Sequence, residues 1–158
     1  MDRRNPKYPW CVYVLALAVA GILAQAISAA DTLPASPHDT RVERLKTFFE
    51  AYHCPAPLLV SEYVAAADAY GLDYRLLPAL SVRESTCGQY ARLNNRWGWD
   101  SANTGFATLQ HGIRFIARQL ALGKYYQGKS LDEKLRAYNP NPKYPAEIRK
   151  LMREIDGD

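Results

Sequence analysis

Glu84 stands in the run LLPALSVRESTCG, close to the end of a stretch whose other residues are mostly apolar. A carboxyl group in such surroundings loses hydration when it ionises, so its pKa is expected to rise. An acid tuned in this way stays protonated near neutral pH and can donate to a leaving oxygen. The competing reading is an exposed helix-end glutamate paired with Arg83 or Arg92. Three residues beyond Glu84 comes Cys87, and then the segment NNRWGW. Asn94 and Asn95 supply amide donors and acceptors, while Trp97 and Trp99 supply flat apolar faces. Sugar recognition uses both kinds of group, amides for hydroxyl and N-acetyl groups and aromatics for ring faces. Either Trp could instead pack in a core, and the two could divide between core and cleft.

Glycosidic bond cleavage ordinarily needs a second carboxylate, about 5 Å from the acid in retaining enzymes and about 6.5–9.5 Å in inverting ones. Asp100 is the nearest downstream candidate. The commoner fate of a loop aspartate is to cap a turn or helix. Without a second carboxylate, the substrate's own N-acetyl group can assist. Other chemistries find less support. His38, His53 and His111 show no metal-ligand spacing, and neither a nucleophile elbow nor a phosphate-binding glycine loop occurs. No cofactor and no metal are implied.

Helices must position these residues. Thr40 with Glu43 has the capping-box pattern, predicting a helix over 41–53 with Val42, Leu45, Phe48, Phe49 and Tyr52 on one face. Pro55 and Pro57 stop it. A second helix is predicted from Leu58 to Tyr70, closed by Gly71. Asp73 can cap a third that runs to Thr86, burying Leu76, Leu77, Leu80 and Val82, with Pro78 in its first turn. Residues 87–107, rich in Gly, Asn and aromatics, have no sustained period and read as a loop or short irregular hairpin. Helix resumes over 108–122, where Ile113, Ile116, Ala117 and Leu120 share a face. Ser130 with Glu133 opens a short helix to Tyr138, and Pro145 suits the first turn of a last helix ending near Ile155. The fold class is all-α, with room for a small β element in the Asn/Trp segment.

The chain has 158 residues, 48% of them hydrophobic and 23% charged, which fits one domain and excludes wholesale disorder or a multi-span membrane protein. Residues 1–30 read as an export signal: Arg3, Arg4 and Lys7, then the uncharged CVYVLALAVAGILA, then Ser28-Ala29-Ala30. Left uncleaved, residues 11–30 would reach the ~20 residues of a membrane anchor. Residues 31–39 form a Pro/Ser-containing leader, and 40–158 the domain. Removing the signal takes away three basic residues and one acid, leaving 17 against 15 and a net charge of +2 instead of +4. No dense basic run remains, so a nucleic-acid partner has little support. Export also resolves the odd cysteine count. Cys11 falls in the signal, and Cys54 and Cys87 then reach an oxidising compartment, where two cysteines most often pair. Two buried free thiols are the alternative.

YGLDYRLLPALSVRESTCG, NNRWGW and GFATLQHGIRFIARQL together resemble the lysozyme-like glycan-cleaving domains, nearest to endo-β-N-acetylglucosaminidases and lytic transglycosylases. The likeness spans roughly residues 58–155. It implies a lysozyme-like helical fold with Glu84, of the Glu84-Ser85 pair, as general acid. Ala137-Tyr138-Asn139 resembles the Ala-Tyr-Asn motif of the transglycosylases, which implies that Tyr138 supports the acid and Asn139 faces substrate. Ser85, Asn94, Asn95, Trp97 and Trp99 would complete the substrate site. The Gly-Leu-Met-Gln motif of many transglycosylases is absent after Glu84, and the Asn/Trp segment stands in its place, as in glucosaminidase-type members. Transglycosylases need one acid only, which turns base and closes a 1,6-anhydro ring. The substrate implied is peptidoglycan in the periplasm or outside the cell, and small enzymes of this kind are associated with secretion or conjugation complexes. The rival class is a non-catalytic glycan-binding or assembly protein that kept the fold.

Overall fold

The computed structural model describes residues 39–157. The stretch read as an export signal, and the expected leader up to His38, lie outside the described residues. Six α-helices run in order: α1 Thr40–Ala51, α2 Val60–Tyr70, α3 Leu76–Ser85, α4 Leu109–Leu122, α5 Leu131–Tyr138 and α6 Tyr144–Asp156. A 3-10 turn at Trp99–Ala102 interrupts the loop between α3 and α4. The described residues contain no strand, so the segment that left room for a β element is a loop broken only by this 3-10 turn.

α3 is the hub. Leu76, Leu77, Ala79, Leu80, Ser81 and Val82 are all buried, so this helix has no solvated stripe. A helix that is apolar all round must be enclosed by other elements. α4 and α6 both pack on α3, while α2 packs on α4 and α1 on α2 and α6. The face predicted for α4 is the buried one: Ile113, Ile116 and Ala117 are fully enclosed and Leu120 nearly so. No helix among the described residues is long and apolar enough to cross a membrane.

Helix ends follow the local chemistry, with three corrections. The cap of α1 is Asp39, whose side chain accepts from Arg41 N–H, and Thr40 is already helical. A carboxylate one residue earlier outcompetes the threonine hydroxyl. α2 begins at Val60, because Leu59 is left-handed at φ +49°. α3 begins at Leu76; Asp73 serves the turn before it, accepting from the Arg75 N–H at 3.0 Å. The remaining signals hold. Gly71 closes α2 at φ +62°, Ser130 and Glu133 form a reciprocal capping box on α5, and Pro145 lies in the first turn of α6; α4, expected from 108, starts at Leu109 with Thr108 as its cap.

Cys54 and Cys87 are disulfide-bonded, Cα–Cα 5.4 Å apart and 33 residues apart in sequence. Closing a loop of that length contributes about 3–4 kcal/mol. The bond ties the segment after α1 to the end of α3. Arg96, itself buried, braces the same segment by donating to the Pro55 and Pro57 carbonyls at 3.3 and 3.4 Å.

Candidate active site

Glu84 occupies the last turn of α3, half-buried. The Tyr144 hydroxyl, carried by the first residue of α6, donates to its Oε1 at 2.5 Å. Its Oε2 lies against Gly98, where a Cβ would come within 3.1 Å of the oxygen. Gly98 is also left-handed at φ +62°, so any side chain there would be both strained and pressed on the acid. Arg83 does not pair with Glu84; its Nε donates to Glu147 at 2.7 Å, and its guanidinium lies over the Tyr144 ring. Tyr138 stacks on that ring, with centroids 6.1 Å apart and planes 8° from parallel. Burial pushes the Tyr144 phenol far up, and the hydrogen bond and charge of Glu84 push it further. Tyr138 is likewise raised by burial first and Glu84 second. Both phenols therefore remain protonated.

The acid opens onto a cleft of about 610 Å³, lined by Glu84, Gly98, Trp99, Asp100, Ser101, Thr104, Tyr125, Tyr126, Tyr138, Asn139 and Pro140. That volume lies within the range of small-molecule sites. The lining offers aromatic faces, hydroxyls and one amide, and its charged groups are both acids. Such a surface suits a neutral polyhydroxylated ligand better than a polyanion. Among the described residues no cluster of His, Cys, Asp or Glu could hold a metal ion.

Five of the residues singled out by sequence meet in this cleft: Glu84, Trp99, Asp100, Tyr138 and Asn139. Their bonds are not all those expected. The Tyr138 hydroxyl donates to the Trp97 carbonyl rather than to Glu84, so the phenol that reaches the acid is Tyr144. Asp100 is exposed, and its Oδ2 accepts from Thr104 Oγ1 at 2.9 Å. The Asn139 Oδ1 accepts from the Asn141 N–H at 3.0 Å. Trp99 packs edge-on against Phe115, 5.9 Å between centroids.

Four residues expected at the substrate are placed elsewhere. Trp97 is fully buried between Tyr63 and Phe106, its indole N–H donating to the Leu77 carbonyl at 3.1 Å. The two tryptophans thus divide, Trp97 to the core and Trp99 to the cleft. Asn95 is buried; its Nδ2 donates to the Trp99 and Thr104 carbonyls and its Oδ1 accepts from Trp99 N–H. Asn94 donates to the Phe106 carbonyl at 2.9 Å. Ser85 is buried, its hydroxyl bonded to the Arg96 carbonyl at 2.7 Å. One physical reason covers the three polar residues. The loop from 87 to 107 has no sheet partner, so its buried peptide groups must be satisfied by side chains. The amides and the hydroxyl that looked free for a ligand hold the loop together.

Tyr144, Gly98, Tyr125, Tyr126, Ser101 and Thr104 were missed. Tyr144 lies 60 residues from Glu84, and no local spacing connects them. Tyr125-Tyr126, an aromatic pair beyond the end of α4, is a signal that could have been followed. No family model, curated protein or solved structure matches the chain.

Proposed function

We propose that the protein is an exported lysozyme-like enzyme that cleaves β-1,4 bonds between N-acetylated sugars of peptidoglycan, with Glu84 as general acid. The observation that carries this reading is the setting of Glu84, whose Oε1 is engaged by Tyr144 while its Oε2 has no hydrogen-bond partner among the described residues and lies beside Gly98 in the cleft wall. Oε2 is then the oxygen that carries the proton. It passes that proton to the glycosidic oxygen as the bond to the anomeric carbon breaks, and the resulting carboxylate takes a proton back from the attacking hydroxyl. Trp99 and Tyr138 offer ring faces to the sugars, and Asn139 borders the same space. The disulfide supports a working place in an oxidising compartment, the periplasm or the cell exterior.

Two routes follow protonation. If water attacks, the products carry reducing ends; if the sugar's own 6-hydroxyl attacks, they carry 1,6-anhydro ends. Incubating the protein with purified peptidoglycan sacculi and analysing the soluble fraction by mass spectrometry tests the proposal. Fragments with either end type are expected, and the end type assigns the chemistry. No release above a protein-free control would contradict the enzyme reading and favour a glycan-binding or assembly protein.

A further inference from the structure

We propose that Lys124 and Tyr125 form an outer subsite of the cleft that binds a carboxylate-bearing amino sugar, the tyrosine taking the apolar face of the ring and the ammonium taking the acid group. The inference rests on the cleft being a glycan site. Tyr125 borders the cleft that holds Glu84, yet it is 66% exposed. Single exposed aromatics are ordinary on protein surfaces. The backbone around this one is braced by hydrogen bonds. Tyr126 N–H and Gln127 N–H both donate to the Gly123 carbonyl, at 2.8 and 2.9 Å, and Lys129 N–H donates to the Tyr126 carbonyl. From α5 the Lys134 ammonium donates to the Leu120 and Tyr126 carbonyls at 2.7 and 2.8 Å. Tyr126 is buried beside Trp99, their centroids 6.0 Å apart. A tyrosine on so fixed a turn loses little freedom when a ligand covers it, which makes it a preorganised platform.

Charge supplies the second half. Of the two carboxyls that line the cleft, Glu84 is the proton donor of the proposed reaction, so the anion that would repel an acidic substituent is Asp100. Lys124 has its Nζ over one face of the Tyr125 ring, 5.3 Å from the centroid, so the sugar would take the other face, and among the described residues no carboxylate pairs with this lysine. A carboxylate on the sugar over Tyr125 would thus meet a cation there, whereas one placed beside Asp100 would meet an anion. That contrast fixes which sugar of an alternating glycan sits over Tyr125.

The test uses the full protein carrying Glu84→Gln, so that bound glycan is not turned over, and isothermal titration calorimetry against two probes of equal length. One probe is chitohexaose, which is neutral; the other is a peptide-free peptidoglycan hexasaccharide with a carboxylate on every second sugar. Adding Tyr125→Ala is expected to weaken both probes by up to about tenfold, the worth of one aromatic contact. Adding Lys124→Ala is expected to weaken the acidic probe alone, by about two- to fivefold, an effect that shrinks with added salt. Both residues are exposed, so melting temperatures should not change. Equal loss on both probes from Lys124→Ala, or no loss from Tyr125→Ala, overturns the inference while the glycan site stands. If neither probe binds the Glu84→Gln protein, the glycan reading falls and the subsite with it.

Discussion

A hydrogen bond from Tyr144 fixes one oxygen of Glu84, and the stacked Tyr138 and the overlying Arg83 fix Tyr144 in turn. The tyrosine does not itself line the cleft, so in the proposed reaction its part is to position the acid. Hydrogen bonds to a charged group are worth about 1.5–3 kcal/mol. Tyr144→Phe should therefore lower kcat by about one to two orders of magnitude and leave KM within about twofold, since the binding surface is untouched. Steady-state kinetics check this, and an unchanged kcat would remove Tyr144 from the mechanism. At this scale the sequence was an uneven guide. The place of Glu84 in a cleft was legible from its apolar neighbours and the Asn/Trp segment after it, but the burial of Asn95 was not. Residue type announces what a side chain can bond, and only the folded loop decides whether a peptide group or a ligand receives the bond.

α3 is a central helix with an acid in its last turn, and the elements around it set where that acid points. α4 contributes by coming close: a Cβ on Gly112 would meet Trp97 at 2.8 Å and Phe106 at 2.9 Å. Gly112→Ala gains about 1 kcal/mol of helix propensity but overpacks the core at a typical cost of 1–3 kcal/mol. A net loss of about 1 kcal/mol is expected in urea unfolding, and a stabilised variant would mean that Trp97 can move aside freely. Elements were the most legible level. α4 and α5 follow from periodicity and caps because those signals are local. The start of α2 was not legible, since it depends on Leu59 holding a left-handed conformation that its residue type disfavours. Nor could spacing reveal that α6 delivers Tyr144 to α3, a long-range packing of two helices.

Across the whole molecule, the end of α6 is tied to the rest by Asp156, which accepts from Tyr74 at 2.8 Å and pairs with Arg44 at 3.0 Å and with Arg75. Burial pushes the Asp156 carboxyl up, but Tyr74, Arg75 and Arg44 outweigh it and hold it below the ordinary range. Asp73 behaves alike, its burial overcome by Arg75. A carboxyl lowered in the folded state stabilises above its unfolded pKa, near 4, and that stabilisation is lost as pH falls through the folded value. The melting temperature should be flat from pH 7 to about 5 and fall below about pH 4. Asp156→Asn should start a few degrees lower at pH 7 and fall less steeply between pH 5 and 3. Parallel curves would show that acid unfolding runs through other groups. The most direct test of the proposed acid is the turnover of peptidoglycan by the Glu84→Gln protein, with circular dichroism to establish that it is folded. Losing a general acid costs about 10²–10⁴ in rate, so kcat should drop by at least a hundredfold in a folded variant. Retention of wild-type turnover by folded Glu84→Gln would contradict the assignment of Glu84 as the acid.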